Sequence, residues 1–210
     1  MQIQWAPSPN FRAGREGRKI IAIVNHITAG LMPGTLSWMQ NPSAKASAHY
    51  LVTKKGEIYQ MVKDEDTAYH AGEVQNPSWS VYDGSNPNNY TLGIEHEALS
   101  GDVITEAQYQ ATLWLHGQLV KKYTIPVDRD HIIGHYRIDS VNRKNDPGVG
   151  FPWDRLFKDL ASDSVQISIG KVIIAGLLIG GTSYAPIRQM AEALGRKVTW
   201  DAASRTVMVE

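Results

Sequence analysis

Cysteine is absent from this 210-residue chain, so disulfides, thiolate metal ligands and cysteine nucleophiles are excluded together, and any metal must sit on His, Asp or Glu. Long apolar runs are missing as well. The longest, residues 172–179, is less than half the ~20 residues that a helix needs to cross a bilayer. No sign of charge prevails: 21 Lys and Arg balance 21 Asp and Glu. The balance survives a cut after residue 160, with 16 basic and 17 acidic residues before it and 5 and 4 after it. A nucleic acid or an anionic membrane therefore has no electrostatic basis as a partner. The opening Met1-Gln-Ile-Gln-Trp-Ala-Pro-Ser-Pro-Asn10 lacks a basic stretch followed by an apolar one, so no secretory signal is expected and export would need another route. What is present, 42% hydrophobic and 20% charged residues, suits a globular chain of one large domain, or of a domain of about 150 residues with a small companion.

The patterning predicts an α/β fold, a central mixed sheet flanked by helices on both faces, with a second, small α+β domain at the C-terminus. Ile20-Ile-Ala-Ile-Val24 is continuous, apolar and β-branched, the mark of a strand buried on both faces at the centre of a sheet. Residues 47–52 and 58–62 flank the turn-forming Lys54-Lys-Gly-Glu57 and read as a hairpin. Residues 91–97 alternate Leu92, Ile94 and His96 against Gly93, Glu95 and Glu97, giving a strand with its polar set on one face. From residue 105 to 123 the period turns helical, behind a Thr105/Gln108 capping box. Further helices are predicted from about Ser37 and over 153–160, after Pro152.

After Asp159 small and apolar residues take over, which divides the chain into domains 1–160 and 161–210. In the second, residues 179–184 read as a hairpin turn, 186–194 as a helix opened by Pro186 and stopped at Gly195, and 197–209 as a terminal hairpin around Asp201-Ala-Ala-Ser204. Ile187, Met190, Leu194 and Trp200 are expected in its core.

Polar residues stand where the apolar strands end: His26, Glu95, His135 and Asp146. Such ends gather at one rim of a sheet, where a cleft can form. Two imidazoles and one carboxylate meeting there would offer zinc three ligands and leave a fourth position for water, the open geometry of a hydrolytic site. Spacing alone argues weakly for this, because the ligands are far apart in the chain and no His-Glu-x-x-His occurs. By itself a histidine after a strand is more often a structural residue, and a glutamate alternating with apolar residues more often faces solvent.

Six motifs, in order, resemble those of the type-2 amidase family of N-acetylmuramoyl-L-alanine amidases, which includes phage T7 lysozyme-like enzymes and peptidoglycan recognition proteins. They are Val24-Asn-His-Ile-Thr-Ala29, Ser47-Ala-His-Tyr-Leu-Val-Thr-Lys-Lys-Gly-Glu-Ile-Tyr-Gln60, Ala68-Tyr-His-Ala-Gly72, Leu92-Gly-Ile-Glu95, Ile133-Gly-His-Tyr136 and Lys144-Asn-Asp-Pro-Gly148. The resemblance spans roughly residues 18–160. It implies a zinc hydrolase that cuts the amide between N-acetylmuramic acid and L-alanine, with peptidoglycan as partner and the cell wall as site of action, whether as an endolysin made in the cytoplasm or as an autolysin. It also implies His26, His135 and Asp146 as zinc ligands, Asp146 standing where some members have Cys. Glu95 matches the general base of the bacterial and phage branch, and Lys144 a lysine that faces the scissile carbonyl. Some members carry Tyr where this chain has Ala48.

Around these residues, His49 and His70 are expected to line or brace the cleft. The polar loop 75–90 is expected to wall it, with Trp79 and Tyr82 either stacking on substrate or anchoring the loop. His96 and His116 are expected to be structural. Residues from Gly180 to Val207 resemble the small domain first described at the N-terminus of copper amine oxidases. That resemblance implies no copper here, since the segment has no His or Cys, and it points to wall attachment or homo-oligomerisation. The competing reading is a peptidoglycan-binding module without catalysis. A serine hydrolase is excluded by the lack of a Gly-x-Ser-x-Gly elbow.

Overall fold

The apolar runs assemble into a six-stranded mixed sheet. In the computed structural model, which describes residues 1–162, 164–179, 182–201 and 204–210, the chain opens with β1 (Ile3–Trp5) and β2 (Phe11–Arg12). It continues with β3 (Ala22–Ile27), α1 (Gly34–Met39), β4 (Tyr50–Val52), β5 (Ile58–Gln60), β6 (Thr67–Ala68), β7 (Thr91–His96), α2 (Glu106–Tyr123), β8 (Ile132–Gly134) and α3 (Trp153–Ser162). The sheet order is β1-β5-β4-β7-β3-β8, and β2 pairs with β6 apart from it. β4, β7, β3 and β8 run parallel, while the hairpin turns β5 antiparallel to β4. Two units separate at 156/157, inside α3: Met1–Leu156 and Phe157–Glu210.

Partners in a ladder point to the same face, so the register sorts the core. Ile23, Leu92, Ile94, Tyr50, Val52 and Ile58 turn to one side, where α2 packs Ala111, Leu115 and Leu119 on them. On the other side Met39 and Leu36 of α1 pack with Leu51 and Met61, and Ala22, Val24 and Ile133 meet Trp79, Tyr90 and Ile138. Helices therefore cover both faces, as the patterning predicts. Ala48 is fully buried in the α1 cluster.

Two local expectations change. The central strand was expected over 20–24 but runs over Ala22–Ile27, because its parallel pairing with β7 continues through Asn25, His26 and Ile27. Polar side chains do not end a strand whose backbone ladder to a neighbour continues. The capping box is half formed: Thr105 Oγ1 accepts from the Gln108 N–H at 3.1 Å, but the Gln108 amide is drawn away to the carbonyls of Val52 and Glu97.

The second unit carries β9 (Ser164–Ile169), β10 (Val172–Ile179), β11 (Thr182–Tyr184), α4 (Ile187–Ala193), β12 (Val198–Asp201) and β13 (Thr206–Val209). Both sheets are antiparallel, ordered β11-β10-β9 and β12-β13. Residues 180–181 and 202–203, where the sequence predicts turns, lie outside the described residues. The expected core needs correction: Ile187, Leu194 and Trp200 are 51%, 62% and 55% exposed, and only Met190 of the four is half-buried. Among the described residues of this unit, Leu160, Ile174, Ala191 and Val198 are buried, while the outer faces of α4 and of the two-stranded ribbon stay open.

Candidate metal and catalytic site

Three parallel strands deliver the site. Register pairs His26 on β3 with Glu95 on β7, so both side chains leave one face of strands about 4.8 Å apart. Asn25 pairs with Gly134 on β8, which brings the next residue, His135, beside His26. Asp146 comes from the loop beyond β8, and its Oδ1 accepts from the Ile27 N–H at 2.7 Å, which pins the carboxylate at the end of β3.

His26 Nδ1, His135 Nδ1 and Asp146 Oδ2 form a triangle with edges of 3.1, 3.0 and 3.4 Å. Four ligands around zinc at bonds of 2.0–2.1 Å stand about 3.3 Å apart, so the triangle has the size of one face of such a tetrahedron. Among the described residues it is the one group of three or more His, Cys, Asp or Glu able to hold an ion.

Proton accounting shows that both imidazoles offer a bare nitrogen. His135 Nε2 lies 2.8 Å from the carbonyl of Ala71, which can only accept, so the proton sits on Nε2 and Nδ1 is free. For His26 the accounting runs through three residues. Thr91 Oγ1 donates to the carbonyl of Pro87 at 2.8 Å, so it accepts from His70 Nε2–H at 3.1 Å. His70 Nδ1 then accepts from His26 Nε2–H at 3.1 Å, leaving His26 Nδ1 unprotonated. Partners of this kind fix tautomer and orientation in metal sites. The donor set therefore fits zinc in atom type, proton state and spacing.

Gly93 explains part of the Leu-Gly-Ile-Glu motif. A Cβ there would stand 2.4 Å from His70 Cγ, so only glycine lets the His70 ring lie on β7 within reach of His26. Gly93→Ala should cost about 1–3 kcal/mol through overpacking. Urea unfolding checks this, and an unchanged midpoint would show that His70 is free to move aside.

The electrostatics divide the two carboxylates. Burial opposes ionisation of Asp146, but contacts with His135 and His26 outweigh it and hold the group below the usual range. Burial, and then the charge of Asp146, push Glu95 well above the usual carboxylate range. Its Oε2 is buried without a partner among the described residues. Two acids whose environments drive them apart are the arrangement that acid–base chemistry uses. Arg143 is the cation whose charge acts on both Glu95 and His26. Sequence reasoning passed over it, although it directly precedes Lys144.

The remaining expected residues sort by burial. His70 is 7% exposed and braces His26. His49, expected at the cleft, is wholly buried: its Nδ1 accepts from the Gly93 N–H, and Nε2 meets Arg15 and the carbonyl of Asp66. Trp79, expected as a possible stacking surface, is 4% exposed, stacks on Tyr90 and donates to the carbonyl of Asp130 at 2.7 Å. It anchors its loop, and Tyr82 packs half-buried on the same cluster. Lys144 is exposed and lines a cleft of about 220 Å³ with Tyr136, Asn145, Gly148, Val149 and Trp153. Arg15 was not anticipated. It is 7% exposed, donates to the carbonyls of Asp64, Asn88, Asn89 and Thr91, and clips the N-terminal segment beneath the site.

A family model described as N-acetylmuramoyl-L-alanine amidase matches residues 16–149. 1,6-anhydro-N-acetylmuramyl-L-alanine amidase AmpD of Salmonella typhimurium is 38% identical over 175 residues, 74% of this chain and 88% of that protein. N-acetylmuramoyl-L-alanine amidase A of Achromobacter lyticus is 28% identical over 172 residues, 73% of this chain and 90% of that one. The structure of AmiD from E. coli, in complex with anhydro-N-acetylmuramic acid-L-Ala-D-γ-Glu-L-Lys, superposes with a TM-score of 0.58 at 28% identity, covering 67% of this chain and 57% of AmiD. The chain belongs to the N-acetylmuramoyl-L-alanine amidase family.

Proposed function

We propose that this protein is a zinc-dependent amidase that hydrolyses the bond between N-acetylmuramic acid and L-alanine in peptidoglycan and acts on the bacterial cell wall. The observation that carries the reading is the convergence of two bare imidazole nitrogens and one carboxylate oxygen at 3.0–3.4 Å. The substrate seen in the AmiD complex contains this bond, and the family of the chain supports the activity.

Zinc held by His26, His135 and Asp146 supplies Lewis-acid activation of water and of the scissile carbonyl. Glu95 takes a proton from the attacking water and delivers it to the leaving amine of L-alanine. Its raised affinity for a proton in the metal-free protein suits the acid half of that cycle, and a cation in the triangle favours the base half. Lys144 steadies charge developing on the carbonyl oxygen. The test is to incubate the purified protein with walls of several peptidoglycan types, with and without chelator. New L-alanine amino groups without new reducing sugars, lost on chelation, support the reading. Binding to walls without new ends would make the protein a recognition module instead.

For residues 157–210 we propose a tether, the exposed Ile187, Leu194 and Trp200 supplying apolar contact area. Residues 1–162 are expected to match the full chain on a soluble muropeptide and to fall behind it by about tenfold or more on intact walls, since tethering acts through local concentration. Equal loss on both substrates would make the tail part of the amidase fold. A change in solution mass alone would make it an oligomerisation element.

A further inference from the structure

On the face of the sheet turned away from the site, five buried side chains present polar atoms with no partner among the described residues: Asn25 Oδ1, His96 Nε2, Gln108 Oε1, Thr112 Oγ1 and His116 Nε2. All five residues are at most 1% exposed. The backbone makes them neighbours. Asn25 pairs with Ile94 and Ile27 with His96, so Asn25 and His96 both leave β3 and β7 toward α2. Gln108, Thr112 and His116 are spaced i, i+4, i+8 along one face of α2. The Gln108 amide donates at 3.0 and 3.1 Å to the carbonyls of Val52 and Glu97, the first of which pairs with His96 and the second of which follows it.

The tautomers can be read from the other ring nitrogens. His96 Nδ1 lies 2.9 Å from the carbonyl of His26, and His116 Nδ1 lies 2.8 Å from that of Thr112. A carbonyl only accepts, so each ring is protonated at Nδ1 and turns a bare Nε2 inward. Both rings are fully buried. The space between β3, β7 and α2 thus receives two imidazole nitrogens, two amide oxygens and one hydroxyl, and the hydroxyl can donate only once. Buried acceptors are rarely left unmatched, and water, which donates twice, is the usual partner in such polar sites.

We propose that ordered water lies among these unpartnered atoms, that the water keeps His96 in its Nδ1–H form, and that His96 is thereby a positioning residue whose grip on the His26 carbonyl sets the metal-ligating ring. Ladder pairing with Glu95 holds His26 from one side, and His96 holds its carbonyl. The proposal rests on the reading of His26 as a ligand, and its test separates the two.

Imidazole ¹⁵N spectra of the intact protein are expected to show the Nδ1–H tautomer for both His96 and His116. A proton on Nε2 of His96 overturns the proposal without any variant having to fold. Zinc affinity, measured by competition with a chromophoric chelator, supplies the second readout. His96→Leu is expected to bind zinc about tenfold more weakly, the low end of the effect of groups that hold metal ligands in place. His96→Asn, whose amide N–H can stand in for Nδ1–H, should recover most of that loss. Parent affinity in the Leu variant, or equal loss in both variants, overturns the proposal. If the parent itself binds no zinc, the metal reading of His26 falls, and the tautomer result alone decides the role of His96.

Discussion

Glu95→Gln is expected to bind zinc as the parent does and to turn over about 10²–10⁴-fold more slowly, the usual contribution of a positioned general base. The amide keeps the size of the carboxylate and cannot take a proton from water, so the loss should fall on kcat rather than on metal content. Stability should move the other way. In the metal-free parent Glu95, half-buried with its Oε2 shut off from solvent and next to Asp146, resists ionisation. A carboxyl with a raised folded pKa gives its full stability below the unfolded value of about 4.3 and loses it as pH rises through the folded value. Glutamine has no such loss. Melts of the metal-free proteins should agree in acid, with the Gln variant melting higher at neutral pH. Near-normal lysis by Glu95→Gln would remove the residue from the mechanism, and a parent that stays the more stable at neutral pH would contradict its burial as an acid.

The second large effect is expected at Asp146. Asp146→Ala removes one of the three proposed ligands and also the acceptor of the Ile27 N–H. Loss of a group that merely orients a ligand costs about 10–100-fold in metal affinity, so loss of the ligand itself should exceed about 100-fold. Zinc retained through dialysis is the measurement. Stoichiometric zinc in the variant would mean that the ion, if bound, sits elsewhere. Asp146→Asn keeps an oxygen that can accept from Ile27 and should fall between parent and Ala, which separates the ligand role from the backbone role.

How much of this was readable beforehand depends on the kind of signal. The parallel core was legible because residues 20–24 and 91–97 carry their burial in their patterning. The site residues were legible only through the six motifs, since two histidines 109 residues apart become neighbours through a ladder that no local pattern encodes. For His49 and Trp79 the sequence left two roles open for a related reason. A polar or aromatic residue in a polar stretch looks exposed until its long-range partners, here Gly93 and Tyr90, are known. The dual role of Gln108 was hidden in the same way, because a capping box is a local motif and its competitor came from β4. The exposed Trp200 and Leu194 show the opposite error, in which apolar character was taken for burial in a unit too small to provide it.

The pairing of His26 with Glu95 across β3 and β7 has an evolutionary consequence. The distance between proposed base and ligand is a rung of a backbone ladder, so it is set by peptide geometry rather than by the side chains that line the cleft. Exchanges in the loops beyond the strand ends would leave that spacing unchanged. A family built this way can diversify its targets without rediscovering its chemistry.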